Sequence, residues 1–252
     1  MLLAIDVGNT QTVIGCFDGE DMTESWRIKT DARATADEIA LLFRGLLADE
    51  PRPAGIAACS TVPAVLHELR QVFERYYTDV PAVIVEPGVR TGVPILYDNP
   101  REVGADRIVN AAAAHHLYGG PAVVVDFGTS TNFDVVSAKG EFLGGALAPG
   151  IEISVDALAA RAARLLKVEL VRPRSVIGKS TVEALQSGII FGFAGQIDGI
   201  VRRIAAELDT DPVVLATGGL APLVLEESET IAYHEPDLTL IGLRLVFERN
   251  AV

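Results

Sequence analysis

The chain has 252 residues, 49% of them hydrophobic, with 34 acidic against 21 basic side chains and a formal net charge of −13. That length suits one large domain or two of about 120 residues each, and the acidic balance excludes the basic footprint of a nucleic-acid surface. Two cysteines, Cys16 and Cys59, show no CxxC spacing, and no uninterrupted apolar run reaches the roughly 18 residues of a membrane span. The chain opens on a strand-like run without a basic flank or cleavage-like signal, so a reducing cytoplasm and no membrane are expected.

"LLAIDVGNTQTVIGCFDGE" opens the chain as a β-hairpin, with an apolar run, a small polar turn and a second β-rich run. "TADEIALLFRGLLADE" reads as a helix capped by Thr35, with Glu38 three residues on. "AGIAACS" and "AVIVEP" are short β-like runs around a second helix, "VPAVLHELRQVFERYY". "ADRIVNAAAAHHLYGG" is a third helix, closed by Gly119, with His115 and His116 in its last turn, where imidazolium suits the helix dipole.

"AVVVDFGTSTNFDVVSAKGEF" then repeats the pattern of the opening hairpin. Asp6 and Asp126 are the matched acids, about half a chain apart. We therefore expect an α/β duplicated fold, residues 1–118 and 119–252, with a cleft between the two lobes. A long helical pattern runs from Thr181 to Leu208 and lines one face with Gly188, Gly192, Gly195 and Gly199. Such a face permits close approach of another backbone, either the protein's own sheet or a second copy of the chain.

The two matched turns carry phosphate chemistry. Gly8 and Gly128 remove Cβ groups, while Asn9, Thr10, Thr129, Ser130 and Thr131 supply donors that a polyanion can meet. Asp6 and Asp126 cannot touch phosphate without repulsion, and acids beside such sites hold a cation or its hydration shell. One copy alone reads better as ordinary turn chemistry; two in matched positions indicate a clamp on one phosphate chain. "ATGGLAP" lets a flat ring or ribose approach at Gly218 and Gly219, and "GGALAPG", Gly144 to Gly150, reads as a loop lining the cleft. In "NPREVGADRIVN", Asp106 and Arg107 stand at a helix start, where the acid can take a hydroxyl proton and the guanidinium can pair with a carboxylate. Equally, Asp106 favours the helix dipole and Arg107 is simply solvated.

Together these motifs resemble the type III pantothenate kinase family. Asp6-Val-Gly-Asn-Thr, Gly104-Ala-Asp-Arg107, Asp126-Phe-Gly-Thr-Ser-Thr131, Gly144 to Gly150 and Gly218-Gly219 follow the family's order along the whole chain. The resemblance implies duplicated ribonuclease H-like (actin-like ATPase) domains with an interdomain nucleotide cleft. It also implies ATP-dependent phosphorylation of pantothenate, the first step of coenzyme A synthesis. Mg²⁺ or another divalent cation would accompany ATP, with K⁺ or NH₄⁺ as monovalent cation, in a cytoplasmic homodimer. By motif match, Asp106 is the general base. Asp6, Val7, Gly8, Asn9, Thr10, Gln11, Thr12, Val13 and Thr129 hold ATP, and Asp126 holds the monovalent cation. Gly104, Ala105, Asp106 and Arg107 bind pantothenate, with Thr181 and Tyr97 as further contacts. Asn132 has no role assigned by the resemblance. Two rivals share the fold: a kinase for another small hydroxyl substrate and a nucleotide-binding transcriptional regulator.

Overall fold

The computed structural model describes residues 1–161 and 168–251, which divide into two compact units. The first unit comprises Met1–Pro94, Asp98–Ala113 and Leu238–Val252. Its sheet contains β1 (Leu2–Val7), β2 (Gln11–Asp18), β3 (Asp21–Lys29), β4 (Gly55–Ser60) and β5 (Ala82–Ile84). They are ordered β3-β2-β1-β4-β5, and the two hairpin partners of β1 and β2 run antiparallel while β4 and β5 run parallel. Strand alternation sends Leu3, Ile5 and Val7 to one face. There they pack with Phe43 of α1 (Ala36–Leu46) and Leu69 and Val72 of α2 (Pro63–Tyr76). Burying a side chain such as Phe43 contributes about 1.5–3 kcal/mol. Thr35 forms the expected capping box: its hydroxyl accepts from the Glu38 amide, and the Glu38 carboxylate accepts from the Thr35 amide at 2.8 Å.

The other face of the sheet bears Ala4, Ala57 and Cys59, small side chains that leave room for helices to come close. It is covered by Val109 of α3 (Ala105–Tyr118) and by Leu240, Leu243 and Val246 of the C-terminal helix, Leu238–Asn250. Gly242 makes the crossing possible, because a Cβ there would lie 2.1 Å from the Val109 carbonyl oxygen. The C-terminal helix therefore belongs with the first sheet. A contiguous division at residue 118 differs from these units at that helix and at α3, whose last turns from Ala114 join the second unit. α3 ends as expected at Gly119, which adopts φ +72° and donates its amide to His115 O at 2.9 Å.

The second unit comprises Ile95–Tyr97 and Ala114–Asp237. β6 (Ala122–Phe127), β7 (Ser130–Val136), β8 (Phe142–Pro149), β9 (Val213–Thr217) and β10 (Tyr233–His234) are ordered β10-β9-β6-β7-β8. Read from β8, this is the order of the first sheet, with the same antiparallel hairpin and parallel neighbour. The duplication inferred from the matched acids is thus a duplication of sheet topology. Of the stretch Gly144 to Gly150, expected as a loop, all but Gly150 belongs to strand β8; Gly144 and Gly145 achieve this with φ of +119° and +159° beside a register shift in β7. α4 (Ile151–Arg161) and α5 (Thr181–Leu208) pack Ile151, Val155, Phe193, Ile197 and Val201 against Val123, Val125 and Phe127. The C-terminal helix of the chain, Leu238–Asn250, is α6.

α5 is long and apolar enough to cross a membrane by length and composition, yet half of its most apolar window is buried within the protein. Buried Asp198 on this helix accepts from Ser228 Oγ, Thr230 Oγ1 and the Glu229 and Thr230 amides, which ties down residues 228–230. The glycine face does not pack on the protein's own sheet. A Cβ at Gly188, Gly192 or Gly195 would meet nothing within 4 Å among the described residues, and one at Gly199 would meet only Arg203.

Candidate active site

In the first unit, alternation along β1 carries Asp6 to the sheet face covered by α3 and α6, where Asp106 stands in the first turn of α3. Burial lifts the Asp6 carboxyl from the ordinary carboxylate range to about 7, reinforced by the negative charge of Asp106 and opposed by Cys59 and Arg27. Part of Asp6 reaches solvent, but its carboxyl is closely enclosed by protein. Asp106 is also raised, again chiefly by burial; the Arg107 amide and guanidinium pull it the other way. Asp106 Oδ1 is buried and accepts no hydrogen bond. Two enclosed carboxyls that repel one another, one with an unpartnered oxygen, form a poised acid pair.

The turn between β1 and β2 closes with the Gly8 amide donating to Gln11 O at 3.0 Å. Asn9, Thr10 and Gln11 are exposed on it, while Thr12 is buried beneath. Val7 and Val13 lie in the flanking strands, Val13 directly across from Asp6. Gln11 Oε1 accepts from Arg27 at 3.1 Å. Thr30, at the end of β3, holds the turn from below. Its hydroxyl donates to Gly8 O at 2.8 Å, so the 2.9 Å contact with Thr12 is a bond that Thr12 donates; the Thr30 amide also donates to Thr10 O. Sequence reasoning missed Thr30, because a lone threonine after a strand carries no motif. We predict that Thr30→Val raises KM for ATP roughly five- to thirtyfold with little change in kcat, as expected for the loss of both hydrogen bonds that its hydroxyl makes, to Gly8 and Thr12. Steady-state kinetics at varied ATP checks this.

In the second unit the turn Gly128–Thr129 is exposed, and the Gly128 amide donates to Ser130 O at 3.0 Å. Gly150 closes on its underside, donating to Thr129 O at 3.2 Å. Gly218, at φ +91° after β9, lies against Asp126: a Cβ there would sit 2.8 Å from Asp126 Oδ1 and 2.6 Å from Phe127 O. Gly218 and Gly150, one from each glycine-rich stretch, thus both lie against the second acid-bearing turn. Asn132 stands opposite Asp126 in the β6–β7 register and accepts from Ser130 Oγ at 2.8 Å.

The remaining predicted contacts sit differently. Gly104 and Ala105 begin α3 beside Asp106, and the Gly104 carbonyl accepts from Ile108. Half-buried Tyr97 packs on Phe142 with ring centroids 6.2 Å apart and touches Gly144. Thr181 is exposed in the first turn of α5, next to the Ser180 cap, and bonds to no other predicted site residue among the described residues.

Two units of one sheet topology, each with an acid near the end of its first strand followed by a glycine-hydroxyl turn, make up a duplicated ribonuclease H-like fold of the actin-like ATPase type. Solved structures agree on the fold. A Baf family transcriptional activator from Campylobacter jejuni superposes with TM-score 0.61 at 19% identity, covering 98% of each chain. The ADPNP-bound activator of 2-hydroxyisocaproyl-CoA dehydratase from Clostridium difficile gives 0.59 at 13%, covering 98% of this chain and 94% of that one. At such identities these likenesses bear on the fold alone.

The family model for type III pantothenate kinase matches residues 2–203. The type III pantothenate kinase of Frankia casuarinae is 70% identical over 250 residues, 99% of this chain and 100% of its own. That of Streptomyces coelicolor is 66% identical, covering 99% and 98%. The chain belongs to the type III pantothenate kinase family, with ATP and pantothenate as its substrates. The rival readings, a regulator and a kinase for a different acceptor, are not favoured.

Proposed function

We propose that Asp106 is the general base for phosphoryl transfer to pantothenate. The observation that carries this reading is its enclosed carboxyl, with an unpartnered Oδ1, whose charge is felt by Asp6 in the strand that leads into the first phosphate turn. The primary hydroxyl oxygen of pantothenate attacks the γ-phosphorus of ATP, the bond from that phosphorus to the β–γ bridging oxygen breaks, and ADP leaves with the electron pair. The hydroxyl proton passes to Asp106. A raised carboxyl suits this role, since proton transfer is most efficient when the base titrates near the working pH.

In this reading Asp6 to Val13 and Thr129 hold the phosphate chain. Their exposed, glycine-opened turns fit a polyanion, and Mg²⁺ fits as an ion carried by the triphosphate. Among the described residues no group of three or more histidine, cysteine or acidic side chains forms a metal cage. Arg107 pairs with the pantothenate carboxylate, and Gly104, Ala105, Tyr97 and Thr181 complete the acceptor site. Asp126, with the Gly218 backbone against it, suits a monovalent cation such as K⁺ or NH₄⁺. The enzyme works as a cytoplasmic homodimer whose seam uses the open glycine face of α5, and neither nucleic acid nor membrane is a partner. Turnover assayed in potassium and then in sodium alone, with light scattering at micromolar protein, tests these assignments. We expect turnover that needs potassium, from a dimer. Equal rates in both salts would remove the cation role of Asp126, and a monomer would remove the seam.

A further inference from the structure

We propose that Cys59 is a positioning residue that acts through Asp6, its thiol holding the carboxylate in the orientation that serves the phosphate turn. β4 runs parallel to β1 with Cys59 directly across from Asp6, and the Cys59 Sγ donates to Asp6 Oδ1 at 3.3 Å. Among the described residues no other side chain donates to that carboxylate. Cys59 is fully buried among Ala4, Ala57, Val109 and Leu240, where a group with no polar task is best apolar. Burial, together with the charges of Asp6 and Asp106, pushes its thiol well above the ordinary range, so it stays protonated and remains a donor.

The need for a donor comes from Asp106. Its negative charge opposes that of Asp6, which Arg27 eases in part. A hydrogen bond to Oδ1 fixes one oxygen of Asp6 and leaves the other available to the phosphate turn. The second unit repeats the arrangement: Asp126 faces buried Thr217 in the same parallel register, so each matched acid has a small side chain with an X–H donor across from it.

The inference rests on the reading of Asp6 as an ATP-site residue, and three variants separate the two. Cys59→Ser keeps a donor but places a hydroxyl in an apolar core; Cys59→Ala and Cys59→Val keep the site apolar without a donor. We expect Cys59→Ser to stay within about threefold of wild type. Cys59→Ala and Cys59→Val should lower kcat/KM for ATP roughly 5–20-fold, the scale of one hydrogen bond to a charged group weakened by the poor donor strength of a thiol, with KM for pantothenate unchanged. MgATP affinity by calorimetry should follow the same order, even where the melting temperature of Cys59→Val matches wild type. A purely structural cysteine reverses that order, with Cys59→Ser the worst variant. That reversal, or three variants all within twofold of wild type, would overturn the inference. A wild type that binds MgATP but does not phosphorylate pantothenate would refute the kinase reading, while the order of affinities would still decide the role of Cys59.

Discussion

Replacing Asp106 by asparagine is expected to lower kcat by roughly 10²–10⁴-fold, the usual contribution of a general base. Asparagine is nearly isosteric, keeps a polar group in the first turn of α3 and cannot take the hydroxyl proton. MgATP affinity should hold or improve, because Asp106 raises Asp6 through its negative charge and an amide removes that repulsion. Stopped assays of turnover alongside calorimetric titration with MgATP separate the two effects. The raised Asp106 carboxyl also sets a sign for pH. The base works deprotonated, so kcat/KM falls as pH drops, and the midpoint of that acid limb lies above the ordinary carboxylate range. An Asp106→Asn enzyme with near-normal turnover would remove Asp106 from the chemistry.

The second large effect is expected from Gly150→Ala. A Cβ on Gly150 would sit 2.3 Å from Thr129 O and 2.7 Å from Gly128 O, both backbone atoms of the second phosphate turn. Neither can rotate away as a side chain does, so the turn itself must move. Overpacking of this kind costs about 1–3 kcal/mol; expressed at the nucleotide site, KM for ATP rises roughly 5–150-fold. Gly45→Ala on α1 is the matched control, since a Cβ there meets nothing within 4 Å among the described residues and should gain helix propensity. A Gly150→Ala enzyme with the ATP dependence of Gly45→Ala would show that the second turn does not bear on the phosphates.

The duplicated architecture was legible because both hairpins write their chemistry into contiguous residues: an apolar run, an acid, a glycine and hydroxyls. α1 and its cap were legible for the same local reason, Thr35 and Glu38 being three residues apart. Other features depend on partners distant in sequence. α6 carries a plain apolar stripe, and nothing in it says that it covers Ala4 and Ala57 instead of the second sheet. The 144–149 segment reads as a loop because its glycines suggest a turn, whereas pairing with β7 accommodates their positive φ within a strand. Asp106 was legible as a helix-start acid, but its nearness to Asp6 required the packing of α3 on β1's second face. Thr30 and Cys59 were invisible for a related reason. Each acts on a turn or carboxylate more than twenty positions away, through pairings that only the assembled sheet creates.

The most direct measurement is ADP release on mixing the protein with MgATP, with and without pantothenate, while the phosphorylated product is quantified in the same samples. The account predicts ADP release that depends on pantothenate and yields one phosphopantothenate for each ADP. ADP formed equally without pantothenate, or nucleotide bound with no turnover when both substrates are present, would contradict it.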